Sequence, residues 1–479
     1  CHEGVKDTKQ AFGNLFSQVD YLCKARGIKV ADKIAIQTMR RHSNSQEPLS
    51  GEDLKYDARA LTLFISAVFE ERIPHEVNVL IPHINRPFQK GLEINNRRIR
   101  CIVKNWDSDF IRVDIDQDAD EEEYLVRLKD EENHIDHTYL WDLLKEGMQL
   151  NLLDCQVKQP IITPRLIVVE PDYLVDISSI ATCFTAFGHH PLLYLLNLMK
   201  PRANTQATLL GNFAGAALDD IINSHGKYQV NETVKSNFRE KALEFCTCPW
   251  FDAKKFYTDA NLQAFNLQQV VDILFPRTAS QAKMSAFRGE SLYDRKKAIL
   301  EPSFVCEALG IQGRVDLMTT DCKLLVEQKS GRNMNIETHQ VDPAYHSYQL
   351  EPHYVQLLLY YGVLQHNFKL SNDRVNIRLL YSKYQPQDGL MVVAYYQKLF
   401  KEAIEYRNQL VAASFEIAKE GFEHALNEFT PEVLNVAGTQ DFFYNKYLKP
   451  QIEAITNPLH DLSPLEEAYF CRMMTFVLR

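Results

Sequence analysis

The stretch "GRVDLMTTDCKLLVEQKSG", residues 313–331, decides how this chain is read. Two apolar runs carry charge: Asp316 in the first, Glu327 and Lys329 in the second. An unpaired charge in an apolar core is expensive, so three close together mark either an ion pair or a site. Read as adjacent strands, with Asp321 and Cys322 helping the turn, the two runs alternate their side chains between faces. Leu325, Glu327 and Lys329 then share one face, and Val326 and Gln328 take the other. Glu327 and Lys329 lie about 7 Å apart at a rise of ~3.4 Å per residue, and Asp316 can approach them from the partner strand. Two carboxylates at the edge of a small sheet suit a hard divalent ion that keeps open water positions, Mg²⁺ or Mn²⁺. Lys329 can orient or deprotonate a bound water, or neutralise charge developing on a phosphate. On these residues alone the competing reading is a salt bridge of Lys329 with Asp316 or Glu327.

The wider composition sets bounds. The chain has 479 residues, 45% hydrophobic and 24% charged, enough for two or three domains with real cores. Its formal net charge of −10 argues against a general nucleic-acid coat protein and leaves a local groove open. Ten scattered cysteines read as reduced thiols. No run of 18 apolar residues suggests a membrane span, and no secretory leader is read at Cys1. The expected setting is cytoplasmic, or nuclear in a eukaryote, and not secreted.

Along the chain, residues 1–72 show apolar positions at helical spacing in "KQAFGNLFSQVDYLCKARG" and "DLKYDARALTLFISAVFEER". Residues 73–163 become β-rich: "HEVNVLIPHI", "RRIRCIVKNW", "DFIRVDID" and "GMQLNLLDCQV" predict a small β-barrel, with the acidic run 116–123 as a solvated loop. From 164 to 479 helices outnumber strands. The expected fold class is therefore α/β with heavy helical decoration. A long helical region is predicted to about residue 298, where Arg288, Arg295, Lys296 and Lys297 form a basic stretch that could line a nucleic-acid path or a solvated helix face. The phosphate-loop pattern G-x-x-x-x-G-K-[ST] is missing, so these residues predict no ATP-driven motor of that type.

The opening charges have a downstream companion. "HYVQLLLYY" places Gln356 and Tyr360 one helical turn apart on a shared face. Gly313, Asp316, Glu327, Lys329, Gly331, Gln356 and Tyr360, in this order and spacing, resemble the RecB-like branch of the PD-(D/E)XK nuclease superfamily. The likeness extends through "VVEPDYLVDISSIA" (168–181), "LLGNFAGAALDDI" (209–221), "ILEPSFVCEALGIQGRVDL" (299–317) and "EYRNQLV" (405–411). These are similar to the nuclease region of the eukaryotic replication helicase–nucleases that trim flaps, covering roughly residues 75–479. The final "LSPLEEAYFCRMMTFVLR" resembles the segment leading into their helicase. The resemblance implies a restriction-endonuclease-like core. Asp316, Glu327 and the Gln328 carbonyl would be metal ligands, Lys329 would position the attacking water, and Gln356 and Tyr360 would hold Lys329 or the DNA backbone.

Two departures qualify the likeness. The family commonly has a histidine ligand four residues after the glycine of "LLG", and counting from Gly211 that position is Gly215. Asp219, one turn on, is the substitute candidate, while Asp220 reads as solvent-facing. His189 and His190 are further candidates, expected instead to pack or cap. Many relatives also hold an iron–sulfur cluster, but after Tyr360 this chain has only Cys471, and Cys183 has no partners, so no cluster is expected. The resulting expectation is a Mg²⁺- or Mn²⁺-dependent deoxyribonuclease acting on single-stranded or flapped DNA in replication or repair, monomeric, with a helicase C-terminal to it. Two alternatives stand beside it: a weakened nuclease fold serving an attached helicase as a DNA-binding module, and an RNA-processing enzyme.

Overall fold

The computed structural model describes residues 1–8, 12, 15–44, 49–85, 97–115, 123–185, 188–200, 204–224, 228–368, 370, 375–436, 438 and 440–478. Positions 116–122 of the acidic run lie outside them. The chain is a mixed α/β protein with several small sheets.

At the start, helices Leu15–Ala25, Val30–Asn44 and Gly51–Phe69 bury Val19, Leu22, Ile36 and Phe64 against one another. The last of these opens with a reciprocal cap between Ser50 and Asp53, which satisfies two backbone donors that a helix start leaves unpaired. "HEVNVL", expected as a strand, is instead the helix His75–Leu80, following Pro74. It pairs with no strand among the described residues, and Val79 and Leu80 stay exposed.

The predicted barrel does not close. Seven strands form one sheet in the order Gln156–Lys158, Ile161–Thr163, Tyr124–Arg127, Phe110–Ile115, Arg98–Trp106, Gln149–Leu153 and Leu166–Val169. Closure would require the first and last strands to pair. The Leu166–Val169 edge is occupied instead. Asn408, on helix Gln397–Glu420, accepts the Val169 N–H (2.9 Å) and donates to the Ile167 carbonyl (2.7 Å). Beside it the fully buried Arg407 donates to the carbonyls of Glu170 (3.0 Å), Tyr173 (2.7 Å) and Gly310 (3.2 Å), and also to that of Val169. One polar helix face therefore ties this sheet to the region that carries the acids.

A five-stranded sheet forms the centre, in the order Ala298–Leu300, Leu317–Thr319, Leu324–Lys329, Asn376–Tyr381 and Leu390–Val392. Strands Leu324–Lys329 and Asn376–Tyr381 are parallel, joined by a crossover through helix Glu351–Phe368. Helices cover both faces. Leu325, Ile377 and Leu379 pack toward helices Glu351–Phe368 and Gln397–Glu420. Leu324, Val326 and Leu380 pack toward helices Gln206–Asn223 and Ala253–Leu274. The alternation expected for residues 324–329 is the one observed.

The stretch 311–319 is not one strand. Ile311–Arg314 belongs to a three-stranded sheet with Val175–Asp176 and Ser303–Cys306, and Leu317–Thr319 belongs to the five-stranded sheet. Its hairpin partner switches sheets at the same level, between Leu300 and Ser303. Pairing is nevertheless kept across the break: Leu300 opposes Leu317, Ser303 opposes Arg314, and the Glu301 N–H donates to the Asp316 carbonyl at 3.0 Å. Asp316 sits at this corner, outside regular strand.

Candidate functional site

The corner brings carboxylates face to face. Leu317 opposes Val326 and Met318 opposes Leu325, so continuing the register sets Asp316 against Glu327. On its other side the hairpin register sets Asp316 against Glu301. Three acids thus lie in a row across three chain segments, an arrangement that costs free energy unless cations offset it. Glu301 adopts a left-handed backbone (φ 48°), uncommon for a residue with a side chain, and its carboxylate pairs with Arg314 Nη1 at 3.1 Å.

Glu327 is only 2% exposed. Its Oε1 accepts from Lys329 Nζ at 2.7 Å, while its buried Oε2 has no hydrogen-bond partner. Burial first, and the neighbouring Asp316 second, push the Glu327 carboxyl up to about 8, despite Lys329. Asp316 Oδ2 accepts the Gln328 N–H at 2.6 Å. Burial raises the Asp316 carboxyl against that bond and against the charge of Lys329. An unsatisfied oxygen on one carboxylate facing a second raised carboxylate is what a bound cation would relieve. The donor set fits a hard divalent ion, two carboxylates with oxygens to spare.

Lys329 Nζ also donates to Gln356 Oε1 at 2.9 Å. The ammonium is held between the strand and the crossover helix, as expected for Gln356. Tyr360 contacts Gln356, and its hydroxyl also donates to the Arg314 carbonyl at 2.6 Å. It pins the strand that leads into Asp316. This contact explains the glycine of G-x-x-D, because a Cβ on Gly313 would lie 2.9 Å from Tyr360 Cε1. The Gln328 side chain leaves the site on the opposite face and donates to Ser382 Oγ (2.8 Å), whose hydroxyl donates on to Gln263 Oε1 (2.7 Å). Gln263 in turn holds the Ser330 carbonyl at 3.1 Å, fixing the end of the Glu327–Lys329 strand.

Asp219 approaches from helix Gln206–Asn223. Burial first, then Glu301, Asp220 and Asp316, raise its carboxyl to about 6. It shares the field of the acids, yet among the described residues no three His, Cys, Asp or Glu side chains gather to hold one ion. Asp219 thus stands beside the Asp316–Glu327 pair, coupled electrically to Asp316 and Glu301. Asp220 is exposed and accepts from the Thr233 hydroxyl. A Cβ at Gly211 would lie 3.2 Å from Ser330 Oγ, whereas one at Gly215 meets nothing within 4 Å. The helix thus passes close to the site, with open space at the position where a histidine was expected.

The basic stretch is not a continuous strip, nor is it helical. Helix Ala279–Phe287 ends before it, and residues 288–297 form a loop and one 3-10 turn, Arg295–Lys297. Arg295 donates to the Ile222 carbonyl (2.6 Å) and to that of Ile221, capping the end of helix Gln206–Asn223. Lys297 pairs with Asp321 at 3.0 Å. Arg288 and Lys296 are exposed. The segment is anchored by Glu290, which accepts from the buried Arg378 at 2.6 Å.

The histidines are structural. His189 bridges Glu402 (2.7 Å) and Glu351 (2.8 Å), and its imidazole is raised to about 9: burial opposes the charge, but the two carboxylates outweigh it. It links the crossover helix, through Glu351, to helix Gln397–Glu420, through Glu402. His190 Nδ1 accepts the Leu192 N–H at 3.1 Å, near the start of helix Leu192–Met199. Cys183 and Cys471 are buried in separate cores.

Sequence reasoning missed Glu301 and Arg314. The signal for Glu301 was present in "ILEPSF", where a charged residue precedes proline in a strand that can pair with 313–319; Arg314 lies in "GRVD" itself. No protein-family model matches the chain, and no curated protein matches it. What the fold and site define is a class: a mixed α/β chain with a buried, cation-poor acid pair beside a clamped lysine.

Proposed function

We propose that this chain is a divalent-metal-dependent nuclease hydrolysing phosphodiester bonds of DNA, of the PD-(D/E)XK, RecB-like kind. The five-stranded sheet would be its restriction-endonuclease-like core. The observation that carries this reading is the Asp316–Glu327 pair, opposed in register, with Glu327 Oε2 buried and unpartnered. A simple salt bridge would account for the Lys329–Glu327 contact but not for the empty oxygen, nor for Gln356 holding the same ammonium. Asp316 and Glu327 would hold Mg²⁺ or Mn²⁺. Such an ion supplies a polarised phosphoryl oxygen and a more acidic bound water.

The chain's own residues supply the rest. Lys329 has three donors, two of them engaged by Glu327 and Gln356, so the remaining N–H can orient a water or a phosphate oxygen. Gln356 fixes the direction of that third donor. Tyr360 and Gly313 hold the corner that keeps Asp316 at its level. Single-stranded or flapped DNA, and a helicase partner, belong to this proposal through the sequence resemblance. A second reading, a DNA-binding module with a weakened site, is favoured by one feature, the open space at Gly215 in place of a third ligand.

The test is cleavage of end-labelled single-stranded, flapped and duplex DNA with Mg²⁺ or Mn²⁺, beside Glu327→Ala and Lys329→Ala. Metal-dependent cutting should fall by at least about a hundredfold in both variants. DNA binding without cutting in either metal would move the assignment to the binding module.

A further inference from the structure

We infer that Arg314 is the residue that receives the phosphodiester backbone at this site, and that Glu301 occupies it until substrate arrives. This rests on the nuclease reading above and names how that site handles its substrate.

The need for such a residue follows from charge. Asp219, Glu301, Asp316 and Glu327 surround the corner, and a nucleic-acid phosphate approaching them is repelled. Among the described residues, two cations act on these acids. Lys329 is committed to Glu327 and Gln356, with its side chain 22% exposed. Arg314 is different: its side chain is 61% exposed, and its charge acts on both Asp219 and Asp316. A guanidinium is also the group suited to grip a phosphate through paired N–H donors.

The backbone of Arg314 is fixed, while its side chain is held by an exposed ion pair with Glu301. Tyr360 holds its carbonyl at 2.6 Å, and its strand is paired with Ser303. It stands two residues before Asp316, so a phosphate on its guanidinium lies at the mouth of the acid pair. The partner, Glu301, is itself 43% exposed and sits in left-handed backbone at the sheet corner. An exposed pair of this kind contributes little to stability, so a phosphate can displace Glu301 at small cost.

The pairing makes opposite predictions for its two members. Wild-type protein, Arg314→Gln and Glu301→Gln are compared on a single-stranded DNA oligonucleotide, measuring KM and kcat with Mg²⁺ or Mn²⁺. Binding is measured across a salt series with Ca²⁺ in their place. Arg314→Gln should raise KM about tenfold. It should also lower the slope of log Kd against log salt by about 0.7, the loss of one phosphate contact on a single strand. Glu301→Gln, which frees Arg314, should tighten binding and leave that slope unchanged. A merely structural ion pair predicts that both variants shift the same way with no change of slope, and that result would overturn the inference. If the wild-type chain neither binds nor cuts DNA, the nuclease reading fails and takes this inference with it. Cutting by wild type with an unaltered slope in Arg314→Gln refutes the inference alone.

Discussion

Glu327→Gln should stabilise the protein, and the effect should depend on pH in a direction the site dictates. In the fold the Glu327 carboxyl is raised from 4.5 to about 8, by burial and by Asp316. A group raised on folding binds its proton more tightly in the native state, so stability is lost as pH climbs through the window between those values. At neutral pH a shift of this size costs about 3 kcal/mol, accrued at up to ~1.4 kcal/mol per pH unit. Glutamine keeps an oxygen for Lys329 and carries no charge to desolvate. The variant should therefore unfold later than wild type at pH 7, by roughly 6–12 °C if the transition involves a unit of ordinary domain size. The gap should shrink toward zero at pH 4.5. Thermal unfolding of both proteins at pH 5, 6, 7 and 8 provides the assay. Mg²⁺ or Mn²⁺ should raise the wild-type transition and leave the variant unmoved. A variant less stable than wild type at pH 7, or a gap that does not grow with pH, would refute the account of Glu327 as a strained acid awaiting a cation.

Two further outcomes follow from the packing. Gly215→His has open space for its side chain on the helix that carries Asp219, so the variant should fold as wild type does and bind Mn²⁺ more tightly, measured by calorimetry; unchanged affinity would detach that helix from the metal. Arg407→Met should cost at least about 3 kcal/mol, because the carbonyls of Val169, Glu170, Tyr173 and Gly310 lose a shared buried donor. Urea unfolding checks it, and a loss under 1 kcal/mol would mean that water replaces the guanidinium.

The site was legible because its residues obey local periodicities. Alternation alone places Glu327 and Lys329 on one face and Gln328 on the other, and the helical repeat alone stacks Gln356 under Tyr360. Those relations need no knowledge of distant chain. The barrel was misread for the opposite reason. Strand patterns in 97–169 are genuine, but whether the first and last strands meet depends on what else reaches their edges, and Asn408 arrives there from about 240 residues away. The helix His75–Leu80 was misread because six residues with two valines fit either period.

Charge was the least predictable quantity. Arg295 was read as lining a nucleic-acid path or a solvated helix face, yet it serves the carbonyls that end helix Gln206–Asn223, and Glu301, which the sequence did not single out, opposes Asp316. The sequence by itself determined the strand that carries Glu327, the face that Glu327 occupies and the lysine that shares it, since these follow from spacing along one segment. Only the tertiary structure decided which charges meet. The bend at Val315 and Asp316, the crossover helix that holds Lys329 and the burial that leaves Glu327 Oε2 without a partner arise from segments far apart in the chain, and free energies of charges depend on which groups surround them once water has been removed.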